Sequence, residues 1–350
     1  AKEDGLRMPR YSAQTGDGTI YVTDMFGWAF ARGTIFAVEI NRAALPHKVQ
    51  LVNLFPNRKL TMPNGIAADP EGRLYVGTPT GIFRFKPKDE KGQFVIDSPL
   101  EPVFTDLAHS IFRKEEYASA NAYNTMSHKL KNKHPLVQIA ANQNFTELYI
   151  NIGAPSDDCA SGIKTLNEQG ACLQSDGVFA SAAVWKIQLE DTPARKVLSA
   201  QVFSRGLRNS MALAVHSNSN LVFQGENGID LPDENLPYEE INILELGAHY
   251  GWPYCHSENQ VSPKFESTVS PQDCKRKYKA ATLLMPAHSA PLGLLFPKSP
   301  LFPEFQSKLL VSWHGYQKQG HRVVAYSVDS AGRPLSNQFT EVMSGWEALE

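Results

Sequence analysis

The feature that most constrains the fold is a short unit that recurs along the chain. Each copy is a turn rich in Gly, Asp or Asn, then a short β-branched or aromatic strand, then a second strand. The five copies are GDGTIYVTDM with GTIFAVEI, DPEGRLYVGT with GIFRFK, NQNFTELYINIG with AVWKIQL, SNSNLVFQGENG with INILELG, and FQSKLLVSWHG with RVVAYSVD. Short strands bounded by such turns are typical of antiparallel hairpins. Their repetition at irregular intervals predicts a ring of small sheets, a β-propeller.

The spacing between copies predicts long loops. Equivalent points in the five units are Tyr21, Tyr75, Tyr149, Val222 and Leu310. These points are farther apart than the about 45 residues of one blade, so the excess is expected at 101–133, 154–182, 226–240 and 253–285. Within the first of these loops, residues 106–117 have a helical periodicity that predicts a short helix on the rim. A β-sandwich with long loops would carry the same local strands and remains the alternative fold.

Composition excludes several classes of protein. With 350 residues, of which 42% are hydrophobic and 20% charged, the chain buries a large core and does not have the composition of a disordered protein. The net charge is −2 and the basic residues are scattered, which excludes a nucleic-acid-binding surface. No apolar run approaches the roughly 18 residues of a membrane span. Because no linker-like stretch divides the chain, we expect residues 1–350 to form one domain.

The four cysteines form two local pairs, Cys159 with Cys172 and Cys255 with Cys274. Neither pair has the spacing of a zinc finger, and an even number of cysteines in polar loops favours disulfides formed in an oxidising compartment. Four free buried thiols are the alternative. The expected location is therefore periplasmic or secreted.

Two basic residues precede strands that are expected to begin near the central channel. His134 stands before the strand at 136–141, and Arg208 before the strand at 211–215. A neutral imidazole there is suited to act as a general base, because its pKa is close to neutral pH. The permanently charged fork of Arg208 is suited to a carboxylate, a quinone oxygen or a developing alkoxide. A surface histidine and a salt-bridged rim arginine are the alternatives.

A third group of polar residues ends the strand in the fourth unit. Gln224, Gly225, Glu226 and Asn227 place carbonyl and carboxylate oxygens together, the ligands that calcium prefers. The sequence contains no phosphate-binding glycine loop and no HExxH, GxSxG or CxxC motif. Nucleotide-dependent, zincin and serine-hydrolase chemistries are therefore not expected.

Three segments together resemble the glucose/sorbosone dehydrogenase family, which comprises soluble sugar dehydrogenases that use pyrroloquinoline quinone (PQQ). The segments are RGLRNSMALAV, LPDENLPYEEINILELGAHYGWPYC, and AHSAPLGLLF followed by LLVSWHG. The resemblance extends from Gly16 to Gly345 and is greatest to the sorbosone dehydrogenase-like branch. It implies a six-bladed propeller of four-stranded antiparallel blades that binds PQQ and calcium and oxidises a sugar, sugar aldehyde or polyol.

The resemblance also implies roles for individual residues. His134 falls at the position of the catalytic base, and Arg208 at that of the arginine that contacts the quinone and the reacting oxygen. Asn209 and Gln224 are similar to cofactor-contacting residues, and Trp313 and His314 fall where a later blade supplies further contacts. Gly225 and Glu226 match positions whose main-chain oxygens hold calcium. Since no haem motif is present, electrons are expected to pass to a separate acceptor.

The chain departs from the family pattern in two places. Lys133 precedes His134 where a small or acidic residue is expected, and the sequence ends at Glu350, before two strands that complete the last blade in the family. The expectation is therefore an incomplete last blade. A non-catalytic propeller that binds carbohydrate or a protein partner is the alternative function. A calcium-dependent lactonase using Asn64, Glu226 and Asn227 is a further one.

Overall fold

The computed structural model describes residues 5–28, 31–41, 43, 45–105, 132–159, 166–167, 169–178, 180–315 and 319–345. Across these residues the main element is the β-strand, and the α-helices described are short: α1 (Leu173–Asp176) and α2 (Pro271–Lys277). The helix expected at 106–117 lies outside the described residues. No helix in the described part of the chain is long and apolar enough to cross a membrane.

The strands of the described residues form five four-stranded antiparallel sheets and one two-stranded hairpin. The first sheet contains β1 (Pro9–Gln14), β2 (Ile20–Asp24), β3 (Thr34–Asn41) and β4 (Lys48–Asn53). The second contains β5 (Ile66–Ala68), β6 (Leu74–Thr78), β7 (Gly81–Phe85) and β8 (Glu101–Phe104). The third contains β9 (Ile139–Ala141), β10 (Glu147–Ile152), β11 (Ala183–Leu189) and β12 (Val197–Arg205).

The remaining two sheets follow the same plan, with one insertion. The fourth contains β13 (Ala212–Val215), β14 (Val222–Glu226), β15 (Glu239–Leu244) and β18 (Leu283–Met285). Between β15 and β18 the chain forms a small hairpin of β16 (Cys255–His256) and β17 (Gln260–Val261), followed by α2. The fifth sheet contains β19 (Pro291–Leu295), β20 (Lys308–Trp313), β21 (Arg322–Val328) and β22 (Pro334–Ser344).

The expected β-propeller is confirmed, but the expected number of blades is wrong for the described residues, which form five blades rather than six. The five points taken from the recurring unit each lie in the second strand of a blade, namely β2, β6, β10, β14 and β20. The sixth blade came from the family resemblance alone. The last of these five blades has four strands, with β22 paired to β21 at its outer edge. The incomplete blade implied by the family resemblance concerns two strands beyond 342–346, and it stays a prediction.

Adjacent blades bury the apolar residues that alternate along their strands. The inner strands meet in sequence, β1 with β5, β5 with β9, β9 with β13, and β13 with β19. Between the first two blades, for example, Tyr21 and Ile35 pack with Leu74 and Val76, all fully buried. Side chains on a strand point alternately to its two faces. Successive apolar residues of one strand therefore pack alternately against the blade before it and the blade after it.

Tyr11, on the innermost strand of the first blade, reaches across the centre of the ring. Its hydroxyl oxygen lies 2.6 Å from the main-chain oxygen of Met211 and 2.5 Å from that of Leu292. Burial raises the pKa of Tyr11 above its usual range, so the hydroxyl keeps its proton and acts as a donor. The contact ties the first blade to the fourth and fifth.

Both expected disulfides are confirmed. Cys159 is bonded to Cys172 with Cα atoms 6.1 Å apart, and Cys255 to Cys274 with Cα atoms 5.8 Å apart. Their loops come from the third and fourth blades and share one apolar cluster. Within it, the hydroxyl of Tyr254 accepts a hydrogen bond from the main-chain N–H of Cys172 at 2.6 Å. The two cross-linked loops therefore form one joined wall on the rim of the propeller.

Candidate active site

His134 enters the site from the loop before β9. Its main-chain N–H donates to Oδ1 of Asn132 at 2.8 Å, which fixes the turn. The residue packs directly against Gly153, at which an added Cβ would lie 2.5 Å from both Cβ and the carbonyl oxygen of His134. A larger residue at 153 would therefore displace the imidazole.

The hydrogen bonding of His134 determines which ring nitrogen carries the proton. Nδ1 lies 2.5 Å from the carbonyl oxygen of Ala154, and a carbonyl can only accept, so Nδ1 is the protonated nitrogen. Nε2 therefore presents a lone pair. Burial, and next the positive charge of Arg208, lower the pKa of His134 well below its ordinary value. The imidazole is neutral at neutral pH and able to accept a proton at Nε2.

Asp157 connects His134 to Arg208. Its Oδ1 accepts a hydrogen bond from Nη2 of Arg208 at 2.7 Å and lies 3.7 Å from Nε2 of His134, while Oδ2 pairs with Lys133. Burial favours a raised pKa for Asp157, but the hydrogen bonds from Lys133 and Arg208 outweigh it and the pKa is lowered. Asp157 is therefore ionised, and it lies between the candidate base and the candidate anion-stabilising group.

Two main-chain carbonyl groups fix the position of the Arg208 guanidinium. Its Nη1 donates to the main-chain oxygens of Asn227 at 3.0 Å and Gly228 at 2.8 Å. The residue is 8% exposed, and its buried Nε–H has no acceptor among the described residues. An orphaned guanidinium N–H is costly unless a ligand supplies the acceptor.

Glu226 organises the residues next to Arg208. Its carboxyl accepts hydrogen bonds from the main-chain N–H of Asn209 at 2.8 Å and from Nε2 of Gln224 at 2.6 Å. Gln224 is fully buried, and its Oε1 also accepts from Asn242 at 3.0 Å. Burial raises the pKa of Glu226 to about 7. Gln224 thus lies behind Glu226 and positions its carboxyl.

A central cavity of about 830 Å³ opens beside these residues. Its lining includes Arg10, Lys133, His134, Asn209, Trp313 and His314. The charged side chains of the lining, Arg10 and Lys133, are both basic. Oδ1 of Asn209 is buried without a partner among the described residues. The cavity is within the size range of sites for small molecules, and its charge suits an anionic ligand.

The predicted residues of the fifth blade lie at this cavity. Trp313 is only 1% exposed and packs edge-to-face on Phe339, so most of its ring belongs to the core. His314 follows it, and burial lowers the pKa of its imidazole. The opposite wall is formed by the first blade. There Nε of Arg10 donates to Oδ1 of Asn64 at 3.0 Å, which aims the guanidinium at the cavity.

The predicted calcium ligands lie at the end of β14. Gly225 is enclosed, since an added Cβ would lie 2.9 Å from Cβ of Ala212. Among the described residues, no three His, Cys, Asp or Glu side chains converge in a way that could hold a metal. The amide nitrogen of Asn64 donates to the carbonyl oxygen of Val137 at 3.1 Å. Both ends of the Asn64 amide are therefore engaged, with Val137 and with Arg10.

Sequence reasoning missed Asp157 and Arg10. Both lie far along the chain from the residues they assist: Asp157 is 51 residues from Arg208, and Arg10 is 54 residues from Asn64. Neither is part of a recognisable motif. The available signal was position, because β9 and β10 are antiparallel and the loop after β10, which carries Asp157, therefore lies beside the loop before β9, which carries His134.

A second cavity, of about 330 Å³, is lined by Asp157 and Arg208, neither of which lines the central cavity. Glu226 and Glu240 also line this cavity, and burial raises the pKa of Glu240 to about 8. Tyr238, Trp252 and Phe265 are among its apolar lining. The two cavities have no lining residue in common; Nε2 of His134, at the wall of the central cavity, lies 3.7 Å from Oδ1 of Asp157, at the wall of the second.

Structural comparison finds solved structures that share this fold. A Trichoderma reesei protein of carbohydrate-active enzyme family AA12 superposes with a TM-score of 0.71 and 15% identity, covering 99% of this chain and 85% of that chain. The PQQ domain of pyranose dehydrogenase from Coprinopsis cinerea gives 0.68 and 15% identity, covering 98% and 83%. The aldose sugar dehydrogenase of Streptomyces coelicolor gives 0.60 and 16%, covering 98% and 83%.

Sequence comparison identifies relatives directly. An uncharacterized protein of Borreliella burgdorferi is 24% identical over 326 residues, which cover 88% of this chain and 82% of that protein. The family described as Glucose / Sorbosone dehydrogenase matches residues 118–332, more than half of the chain, and the matched range contains His134, Asp157, Arg208 and Glu226. By this match the chain belongs to the glucose/sorbosone dehydrogenase family, a family of sugar oxidoreductases.

Proposed function

We propose that this protein is a PQQ- and calcium-dependent dehydrogenase that oxidises a sugar, sugar aldehyde or polyol. The observation that carries the proposal is the fixed tautomer of His134. Its Nδ1–H is bound to the carbonyl oxygen of Ala154, which leaves Nε2 free to accept a proton beside the Asp157–Arg208 pair. A positioned neutral base of this kind is what removal of a hydroxyl proton requires.

The residues of the central cavity fit PQQ, an anionic planar molecule. Arg10 and Lys133 supply positive charge at the walls, and His314 supplies a further hydrogen-bonding group. The unpartnered Oδ1 of Asn209 is an oxygen that a bound cation would satisfy, with the main-chain oxygens of Gly225 and Glu226 as the other proposed calcium ligands. When bound, PQQ supplies the acceptor for the hydride, and calcium polarises it.

The protein's own residues handle the proton and the charge of the reacting oxygen. His134 accepts the hydroxyl proton at Nε2 and becomes a cation, which the carboxylate of Asp157 stabilises from 3.7 Å. The guanidinium of Arg208 stabilises negative charge on the substrate oxygen as the proton leaves. Asp157 also keeps Arg208 in place through the bond at 2.7 Å. The fork of Arg208 therefore needs no reorganisation during the reaction.

We propose a periplasmic or secreted location. The support for it is the two disulfides, because disulfides form and persist in oxidising compartments. The electrons are proposed to leave to a separate acceptor, because the sequence carries no haem motif.

The test is a titration of the purified protein with PQQ and calcium, followed by absorbance spectra before and after a panel of aldoses and sugar aldehydes. We expect saturable binding and bleaching of the quinone spectrum by at least one sugar. The proposal fails if PQQ does not bind. Glycan binding that saturates without turnover would instead favour a non-catalytic carbohydrate-binding propeller.

A further inference from the structure

The main chain of Asp157 is held by a side chain of the fourth blade. The indole N–H of Trp252 donates to the carbonyl oxygen of Asp157 at 3.0 Å, across 95 residues of sequence. Trp252 is only 9% exposed and packs in the apolar cluster that the two disulfide-bonded loops share. A buried indole N–H generally finds an acceptor, and here that acceptor belongs to the loop beside the candidate base. The bond therefore joins the third and fourth blades at the candidate site.

Trp252 also holds the loop that carries Arg208. Its main-chain N–H donates to the carbonyl oxygen of Gly206 at 3.1 Å, two residues before Arg208. Arg208 in turn donates through Nη2 to Asp157 at 2.7 Å. Trp252 is thus bonded to the loops on both sides of the Asp157–Arg208 pair, to one through its side chain and to the other through its main chain.

The turn that carries Trp252 is itself fixed. The main-chain N–H groups of Tyr254 and Cys255 donate to the carbonyl oxygen of Gly251 at 2.8 and 3.0 Å. Gly251 has a φ of 109°, which favours glycine at the start of this turn. Cys255 is bonded to Cys274 of α2. Because the turn is bonded at both ends, the indole N–H is a donor in a fixed place.

A displacement of the Asp157 main chain would reach His134. Oδ1 of Asp157 lies 3.7 Å from Nε2 of His134, and the attraction between opposite charges falls with distance. Two basic side chains, Arg208 and Lys133, also face His134 and oppose a positive charge on it. Asp157 counters them. Its place therefore affects how well the site stabilises a proton on His134.

We propose that Trp252 is a positioning residue of the candidate site, whose indole N–H holds Asp157 beside His134 while His134 carries the substrate proton. The role in catalysis rests on the proposed dehydrogenase function. Trp252 accepts no proton itself and acts through Asp157. The proposal makes the basicity of a residue of the third blade depend on a hydrogen bond from the fourth.

The first test needs neither cofactor nor sugar. Trp252→Phe removes the indole N–H but keeps an aromatic ring and the main-chain N–H. Hydrogen exchange of the unliganded protein is measured by mass spectrometry on the peptide that covers 154–159, in which the N–H of Ala154 is hydrogen-bonded. We expect at least fivefold faster exchange of this peptide in Trp252→Phe. If Trp252→Phe does not fold, benzothienylalanine at position 252 replaces it, because it keeps the shape of tryptophan without the N–H.

Trp185→Phe is the matched control. Trp185 is 6% exposed, and its indole N–H donates to the carbonyl oxygen of Ala180 at 2.9 Å, so the substitution removes the same kind of bond. Trp185 packs in the core cluster of the second and third blades and contacts neither Asp157 nor Arg208 through this bond. Exchange of the 154–159 peptide should stay within twofold of the parent.

The second test is a double-mutant cycle with PQQ, calcium and a sugar that the parent oxidises. Trp252→Phe should lower kcat at least fivefold, by no more than Asp157→Asn does, and leave the KM for sugar within twofold. In the Asp157→Asn background, Trp252→Phe should change kcat less than twofold, because the carboxylate that it positions is gone. A merely structural role would lower kcat by the same factor in both backgrounds. Trp185→Phe should keep kcat within twofold of the parent.

Two results overturn the proposal. Unchanged exchange of the 154–159 peptide in folded Trp252→Phe protein would mean that the indole does not hold the loop. Equal losses of kcat in the two backgrounds would mean that Trp252 does not act through Asp157. If the parent oxidises no sugar, the proposed function and the catalytic role of Trp252 fail together, while the exchange experiment still decides whether Trp252 holds Asp157 in place.

Discussion

Replacing Asp157 with asparagine tests the proposed coupling of His134 to Arg208 most directly. When His134 accepts the substrate proton, the carboxylate of Asp157 stabilises the new charge from 3.7 Å. Opposite unit charges at that distance attract by about 4.5 kcal/mol at an effective dielectric constant of about 20. The side chain of Asp157 is 34% exposed, so water screens part of this attraction, and we expect about 2 kcal/mol. Since 1.36 kcal/mol is tenfold, kcat/KM should fall roughly 30-fold.

The pH profile gives an independent check on the same substitution. The negative charge of Asp157 raises the pKa of His134, while burial and Arg208 lower it. Removing the carboxylate must therefore lower the pKa of His134 further, and the acidic limb of kcat/KM should move to lower pH as the rate falls. Initial rates are measured with PQQ, calcium and saturating acceptor across the pH range.

Asp158→Asn is the matched control. Asp158 is the next residue and pairs with Lys264 at 3.5 Å, away from His134, so its substitution should leave kcat/KM within threefold of the parent. The reasoning is refuted if folded Asp157→Asn protein keeps activity within threefold of the parent, or if its acidic limb moves to higher pH.

Three further predictions concern the base, the buried carboxyls and the cross-links. His134→Ala should lower kcat about 100- to 10,000-fold while PQQ affinity, measured by absorbance titration, changes less than threefold; a large loss of affinity with normal turnover would contradict it. Burial raises the pKa of Glu240 to about 8 from 4.5, so the stability from its bound proton is present below pH 4.5 and is lost as pH rises through about 8. In EDTA, Glu240→Gln should therefore raise Tm relative to the parent at pH 8 more than at pH 5, and exposed Glu245→Gln should show no such trend. Replacing Cys255 and Cys274 with serine removes a cross-link across 19 residues and should lower the free energy of unfolding by roughly 3 kcal/mol in urea titrations, whereas a loss below 1 kcal/mol would count against it.

The blades were predictable because their signal is local. Tyr21, Tyr75 and Tyr149 each follow a turn and lie in an alternating strand, and the structure places each in the second strand of its sheet. The number of blades was not predictable in this way, because it depends on how sheets pack around a centre.

The candidate site was predictable only in part. His134 and Arg208 both precede inner strands, but only His134 lines the central cavity, while Arg208 lines the second one. Asp157 carries no such signal, since its role depends on a loop that brings it between two distant residues. Glu240 stands in a strand of alternating pattern, where a charged residue is expected to be exposed. It is 8% exposed because the loops of the fourth blade cover it.

The hydroxyl of Tyr11 has a consequence for the time course of folding. Its two acceptors lie 200 and 281 residues away along the chain. Contacts between such distant residues form late, because closing the intervening loop costs conformational entropy that is offset only once the contacts between its ends have formed. Individual blades are able to form from local hairpins while the chain is being synthesised. The central cavity, in contrast, is lined by residues 8–12 of the first blade together with residues of the later blades. The proposed cofactor is therefore expected to bind only after the first blade has packed against the fourth and fifth, as the last step of maturation.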